Sequence, residues 1–292
     1  METGLILALL SSITFAGNVI FARRVSYNTG ESFTSVLFSI FSGVPIFAVA
    51  LSATGGWGEL WTASGLAIGL FALAGIIHFV VGRQLSYISF RLIGANRGGA
   101  IVKTQMLYSV IFGIIFLHEP VSLSLILGVF GIAIGVTLVS IEKGEEAGKV
   151  RARGVLAAFT GAVCWGISGV IVKYGFMEIA SPYVAAFVAH VAASLSIATF
   201  LLGKKQRKHV SAFNRTAVLG IIGVSLSASI AQLFRYVALS FSPVSVVIPI
   251  IGTNVVFILF LSFIFNRQIE LFTWKVIVGI VAASLGTLLL FL

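Results

Sequence analysis

The side chains in this sequence that could do chemistry are few, and most are basic. Lys103 lies about ten residues into an apolar run at 93–117, and His78 and Arg83 lie in the run at 64–86. Gln232 and Arg235 stand three residues apart in the run at 215–239, a spacing that puts them on one helix face. Asn18 ends a polar stripe that begins at Ser11 and Thr14, Trp165 and Ser168 lie in the run at 154–175, and Asn254 follows Pro243, Pro249 and Gly252. Arg97 sits in the glycine-rich stretch Gly94-Ala95-Asn96-Arg97-Gly98-Gly99, where backbone could approach a ligand. Six residues separate Arg97 from Lys103, so the two point roughly 120° apart on a helix. One face would then carry Asn96 and Lys103, and the next Arg97, Thr104 and Tyr108.

An ionised side chain near the bilayer centre costs about 2.5–3.5 kcal/mol on insertion scales. Each base inside an apolar run is therefore a candidate for function unless it reaches the interface. Lysine and arginine bind carboxylates and phosphates through charge-assisted hydrogen bonds. The nine acids are all Glu, and none lies midway along a run. The chemistry on offer is the binding of an anionic group, and a proton carrier of the usual Asp or Glu type is missing. His78 is the remaining candidate for that duty.

Each residue also has a plainer reading. Ser11 and Thr14 suit interhelical hydrogen bonds, His78 could be a satisfied interior histidine, and Arg83 and Arg235 could face an interface. Phe15 and Trp165 could wall a site or pack on a neighbouring helix. A membrane-embedded enzyme lacks support, because no nucleophile–base arrangement is visible. The four histidines (His78, His118, His190, His209) are scattered and Cys164 is alone, so neither a metal site, a disulfide nor a cofactor is expected. A scaffold or a channel is the other alternative; a channel usually repeats its filter around a multimeric axis.

The elements that must position these residues follow from composition. Of 292 residues, 59% are hydrophobic and 10% charged, with a mean hydropathy of +1.11. Soluble domains run at about 25% charged, so the chain is predicted to live in a bilayer. Windows of about 20 apolar residues give ten predicted spans, at 4–24, 33–53, 64–86, 93–117, 121–141, 154–175, 183–202, 215–239, 243–265 and 271–291. The runs are continuously apolar without strand-like alternation, which favours helices over a β-barrel. Prolines and Gly252 predict a kinked ninth span. The first span has Arg23 and Arg24 after it and no base before it, unlike a cleavable signal.

The net charge of +10 would suggest nucleic acid in a soluble protein. Here the bases fill alternate gaps: Arg23 and Arg24, Arg91, Lys143 to Arg153, Lys204 to Lys208, and Arg267. The positive-inside rule puts those gaps in the cytoplasm and both termini outside. No nucleic-acid partner is expected, because no basic patch is interleaved with exposed aromatics. The partners expected are the lipid bilayer and a small anionic or zwitterionic solute, and a homodimer is compatible with the sequence.

The two halves match each other. Gly4 through Arg23 aligns with Gly154 through Lys173 at a shift of 150, pairing Phe15 with Trp165 and Asn18 with Ser168. Arg83 pairs with Arg235 at 152, and Glu119 with Glu270, Gly128 with Gly279 and Gly135 with Gly286 at 151. The units are a first repeat at 1–141, a charged connection at 142–153 and a second repeat at 154–292. A five-helix unit is odd, so its second copy enters the membrane from the opposite side. Inverted repeats are a recurrent build of secondary transporters, with the substrate site near the midplane between the halves. The glycines of the fifth and tenth spans allow close helix approach.

Phe116-Leu117-His118-Glu119-Pro120-Val121-Ser122, followed by Gly128 and Gly135, resembles the fourth-to-fifth helix signature of EamA-type permeases of the drug/metabolite transporter superfamily. Trp165-Gly166, then Ser168 and Lys173, resembles the first-helix signature of the same repeat. Phe15-Ala16 and Arg267-Gln268-Ile269-Glu270 depart from those patterns in the other half. The resemblance implies a ten-helix carrier of small metabolites in the cell membrane, often amino acids, with relatives that carry nucleotide-sugars and sugar phosphates. It also implies cytoplasmic termini, opposite to the charge count. The sequence thus predicts an all-α membrane protein of two inverted five-helix repeats, a non-enzymatic permease working by alternating access.

Overall fold

The apolar runs fold as helices, and no strand occurs among the described residues. The computed structural model describes residues 2–29, 33–93, 98, 101–140, 148–202 and 215–265, and positions 278, 281–282, 285–286 and 289. In chain order the helices are α1 (Glu2–Thr29), α2 (Phe33–Phe41), α3 (Gly43–Ala53), α4 (Trp57–Thr62) and α5 (Gly65–Gly75), then a π-helix (Ile76–Gly82) running into α6 (Arg83–Ile93). They continue as α7 (Gln105–Leu117), α8 (Leu123–Ser140), α9 (Gly148–Glu178), α10 (Pro182–Leu202), α11 (Arg215–Phe241), α12 (Val244–Gly252) and α13 (Asn254–Phe265). α9 starts at Gly148, inside the stretch expected to be a connection.

Among the described residues, five helical segments are long and apolar enough to cross a membrane: Glu2–Ala22, Gly65–Ser89, Ala152–Glu178, Pro182–Thr199 and Val218–Phe241. Shorter apolar helices occupy Leu37–Ala53, Gln105–Leu117, Leu123–Gly135 and Val244–Ile258, at the predicted second, fourth, fifth and ninth spans. Most of the predicted tenth span lies outside the described residues. Large apolar side chains such as Ile6, Val49, Leu66, Leu156, Leu195 and Phe260 are exposed around the bundle. A monomer in water rarely shows so much contiguous apolar surface, whereas lipid accepts it. The chain is a multi-pass membrane protein.

The halves interlock. α1 packs along α11, and α9 packs along α5, the π-helix and α6. The opening helix of each half therefore lies against the third apolar run of the other. Small residues permit the closest approaches: a Cβ on Gly131 of α8 would stand 3.0 Å from the Cα of Gly286. Phe47, Leu51, Phe71, Tyr236, Leu239 and Ile250 fill the core between α3, α5, α11 and α12.

The fourth and ninth runs break at the same level. In the ninth, as its prolines predict, α12 ends at Gly252; the Thr253 N–H bonds Ile250 O at 3.1 Å and the Val256 N–H bonds Thr253 O at 2.9 Å. In the fourth, the Thr104 N–H bonds Ile101 O at 3.0 Å and the Met106 N–H bonds Lys103 O at 3.2 Å. These are three-residue closures in place of α-helical ones. The expectation of a continuous fourth helix with loosening only around Gly94–Gly99 is thus corrected at residues 103–104. Of those glycines only Gly98 is described.

Candidate functional site

The site begins with the signature residues of α9, each of which meets another helix. Trp165 Nε1–H donates to the carbonyl of His78 at 2.8 Å, inside the π-helix, and the two rings stack at 5.8 Å. π-Bulges are frequent at functional sites because the wider turn releases backbone groups. Gly82 makes the contact possible, since a Cβ there would fall 2.5 Å from Trp165 Cδ1. Gly166 lies against Tyr108, and Lys173 Nζ closes the end of α11 by donating to Leu239 O at 2.7 Å and Ser242 O at 3.0 Å.

Glu119 does comparable work from the first half. His118 takes a left-handed conformation (φ 52°) that ends α7. The Glu119 carboxylate then accepts the backbone N–H of Val244 at 2.7 Å and of Ser245 at 2.8 Å. It thereby satisfies orphan donors at the positive end of α12. Gly113 leaves room for that carboxylate.

With the helices so fixed, a cavity of about 560 Å³ opens between the two halves. Of the residues singled out in the sequence, Asn18, His78, Arg83, Lys103, Trp165, Gln232, Arg235 and Asn254 line it. Ser168 stands behind the wall, bonded to His78 and Arg235. Tyr108 is not among the lining residues: its ring stacks on Phe112 at 6.1 Å. Thr104, expected on the same face as Tyr108, is likewise not among the lining residues. Arg97 lies outside the described residues.

Among the described residues the lining contains three permanent or readily charged cations and no carboxylate. Arg83 Nη1 donates to Ser39 Oγ at 3.5 Å, and the guanidinium lies 5.5 Å from the Phe79 ring centroid. Arg235, 3% exposed, donates from Nη2 to Ser168 Oγ at 3.4 Å, while its Nη1 has no hydrogen-bond partner among the described residues. Lys103 Nζ donates to Asn254 Oδ1 at 2.6 Å. Burying an ion costs several kcal/mol even after relaxation, and neutral partners return only part of that. The arrangement is suited to hold an anionic group. No cluster of three metal-ligating side chains occurs among the described residues.

The remaining polar wall is neutral. Asn18 Nδ2–H donates to Val224 O at 2.7 Å and so joins α1 to α11. Ser11 does the same at Ala231 O, at 2.8 Å, in keeping with a packing role. Phe15 and Phe79 add apolar surface. His190 and Ser39, which sequence reasoning passed over, also line the cavity. His190 bonds Ala186 O at 2.9 Å through Nδ1, and its ring sits between Phe47 and Phe79, at 4.5 and 4.3 Å. The repeat carried the signal for both, because a shift of 151 places Ser39 on His190.

The EamA-like transporter family model matches residues 2–141 and again residues 152–292. No curated protein sequence shows a significant match. Among solved structures, one crystal structure superposes with a TM-score of 0.74 at 15% identity, covering 97% of this chain and 95% of that one. At that identity the likeness establishes a shared fold.

Proposed function

The chain belongs to the EamA-like transporter family, and on that premise we propose that it is a secondary carrier of small anionic or zwitterionic metabolites such as amino acids. The observation that carries this reading is the cavity itself, which Arg83, Lys103 and Arg235 line with no carboxylate among the described residues. Its volume of about 560 Å³ falls in the range of small-molecule sites, about 300–1,000 Å³. Arg83 and Arg235 take the anionic oxygens, Lys103 supplies a third charge at the seam, and Trp165, Phe15 and Phe79 cover the apolar part of the cargo.

Ten spans in two inverted repeats give the carrier two equivalent conformations. Rocking of one half against the other about the central site would expose it first to one side of the cell membrane and then to the other. The helix breaks at 103–104 and at 253 lie in equivalent helices and supply the hinges. The basic gaps favour an orientation with both termini outside.

A thermal-shift screen of the detergent-purified protein tests the cargo class. A ligand that binds only the folded state stabilises it by about 2.7 kcal/mol at a hundred times its Kd. Shifts with carboxylates, amino acids or sugar phosphates are expected. Shifts confined to cations and uncharged sugars would assign the three bases a structural role instead.

A further inference from the structure

The hydrogens around His78 can be placed one at a time. Ser168 has a single hydroxyl hydrogen, and it goes to the Trp165 carbonyl at 2.8 Å, a group that can only accept. The Ser168 oxygen is then an acceptor for Arg235 Nη2–H at 3.4 Å and for His78 Nδ1–H at 2.9 Å. An imidazole with its hydrogen on Nδ1 carries a lone pair on Nε2. The Gln232 amide nitrogen, 3.4 Å away, donates to that lone pair.

This chain of bonds fixes the way Gln232 faces. Its amide nitrogen is committed to His78, and Oε1 is left as an acceptor with no partner among the described residues. Arg235 Nη1 is a donor in the same condition, one turn away on the same face of α11. Both residues are 3% exposed, and both border the cavity. An unmet buried polar atom is costly and calls for an explanation. Here the two unmet atoms are a cationic donor and a neutral acceptor on residues three apart on one helix face.

We propose that Gln232, oriented by His78 and Ser168, is the residue that selects the cargo: next to the anionic oxygen held by Arg235, the cargo must present an N–H or O–H to Gln232 Oε1. α-Amino and α-hydroxy acids meet that demand; a plain carboxylic acid satisfies Arg235 and leaves Gln232 unpaired. Sites built to hydrogen-bond a substrate N–H or O–H discriminate strongly against the analogue that lacks it. The inference rests on the anionic-cargo reading above. His78 acts here through Gln232 and is a positioning residue.

The test is a set of acids matched in skeleton: propionate, lactate and alanine; succinate, malate and aspartate; 3-phenylpropionate, 3-phenyllactate and phenylalanine. Kd is measured for each on the purified full-length protein. Within a skeleton that binds, the hydroxy and amino acids are expected to bind at least about ten-fold tighter than the unsubstituted acid, about 1.4 kcal/mol. Gln232→Met should bring that ratio close to one, and His78→Phe should lower the ratio in the same way. Equal affinities along a series, or a ratio that survives Gln232→Met, would overturn the role of Gln232 while leaving the anionic-cargo reading intact. Failure of every acid to bind would overturn both. The wild-type series decides the question alone if the variants do not fold.

Discussion

Lys103 and Asn254 hold the same place in the two halves, 151 residues apart, and they touch: Lys103 Nζ donates to Asn254 Oδ1 at 2.6 Å. A single repeat position thus carries a cation in one half and a neutral acceptor in the other. Asn18 and Ser168, Ser39 and His190, and Phe15 and Trp165 differ in the same manner, whereas Arg83 and Arg235 keep their type. The framework is close to symmetric and the chemistry lining it is not. That combination suits a carrier whose two conformations must be alike while its cargo has distinct ends.

The Lys103–Asn254 contact predicts how the seam responds to substitution. Lys103→Met keeps the length of the side chain and removes its charge. It is expected to lower affinity for anionic cargo at least about ten-fold, about 1.4 kcal/mol, with expression intact. Asn254→Asp should do nearly as much, because the new carboxylate would pair with Lys103 in place of cargo. Unchanged binding by either variant in a calorimetric titration would remove Lys103 from the site.

Arg235 and Arg83 are predicted to act as forks and not simply as charges. Arg235→Lys retains the charge but cannot present two parallel donors, so it should recover only part of the affinity lost in Arg235→Ala. Neutral ligands should bind both variants as they bind the parent. Equal losses for anionic and neutral ligands would mark Arg235 as a structural residue.

Glu119 is predicted to serve stability. Glu119→Gln replaces two acceptors by one and turns an amide donor toward the N–H groups of Val244 and Ser245. A loss of about 1–3 kcal/mol follows from leaving one of them unmet, and it is read as a lower Tm. Ligand affinity measured below that Tm should be retained. A normal Tm with abolished transport would make Glu119 a participant in the transport cycle instead.

Gly82 and Gly17 form a matched pair of probes. A Cβ at Gly82 would lie 2.6 Å from Trp165 Nε1, whereas nothing stands within 4 Å of a Cβ at Gly17. Gly82→Ala should displace the indole, break its bond to the His78 carbonyl and weaken both Tm and ligand binding. Gly17→Ala should leave both near the parent values. Tm and Kd of the two variants check this directly.

Much of this was legible in the sequence, and the parts that were not have physical causes. Continuous apolar runs located the helices, and eight of the polar, basic and aromatic side chains singled out within them as candidate site residues, from Asn18 to Asn254, line the cavity. Pro249 and Gly252 announced the break in the ninth run. The matching break at 103–104 has no proline or glycine at the break itself to announce it. The π-helix at 76–82 escaped notice for a related reason: hydrophobic periodicity carries no signal for one wider turn inside an apolar run. The partner of Glu119 was out of reach because Val244 and Ser245 are backbone donors more than a hundred residues away.

On this reading the three cavity bases bind cargo for movement across the membrane. Proteoliposomes loaded with the acid that gives the largest thermal shift, and assayed for uptake of the same labelled acid, test it most directly. Saturable, counterflow-stimulated uptake is expected, together with its loss in vesicles carrying Lys103→Met or Arg235→Ala at equal protein content. Uptake that rises linearly with concentration, or that is indifferent to both substitutions, would contradict a carrier built on these residues.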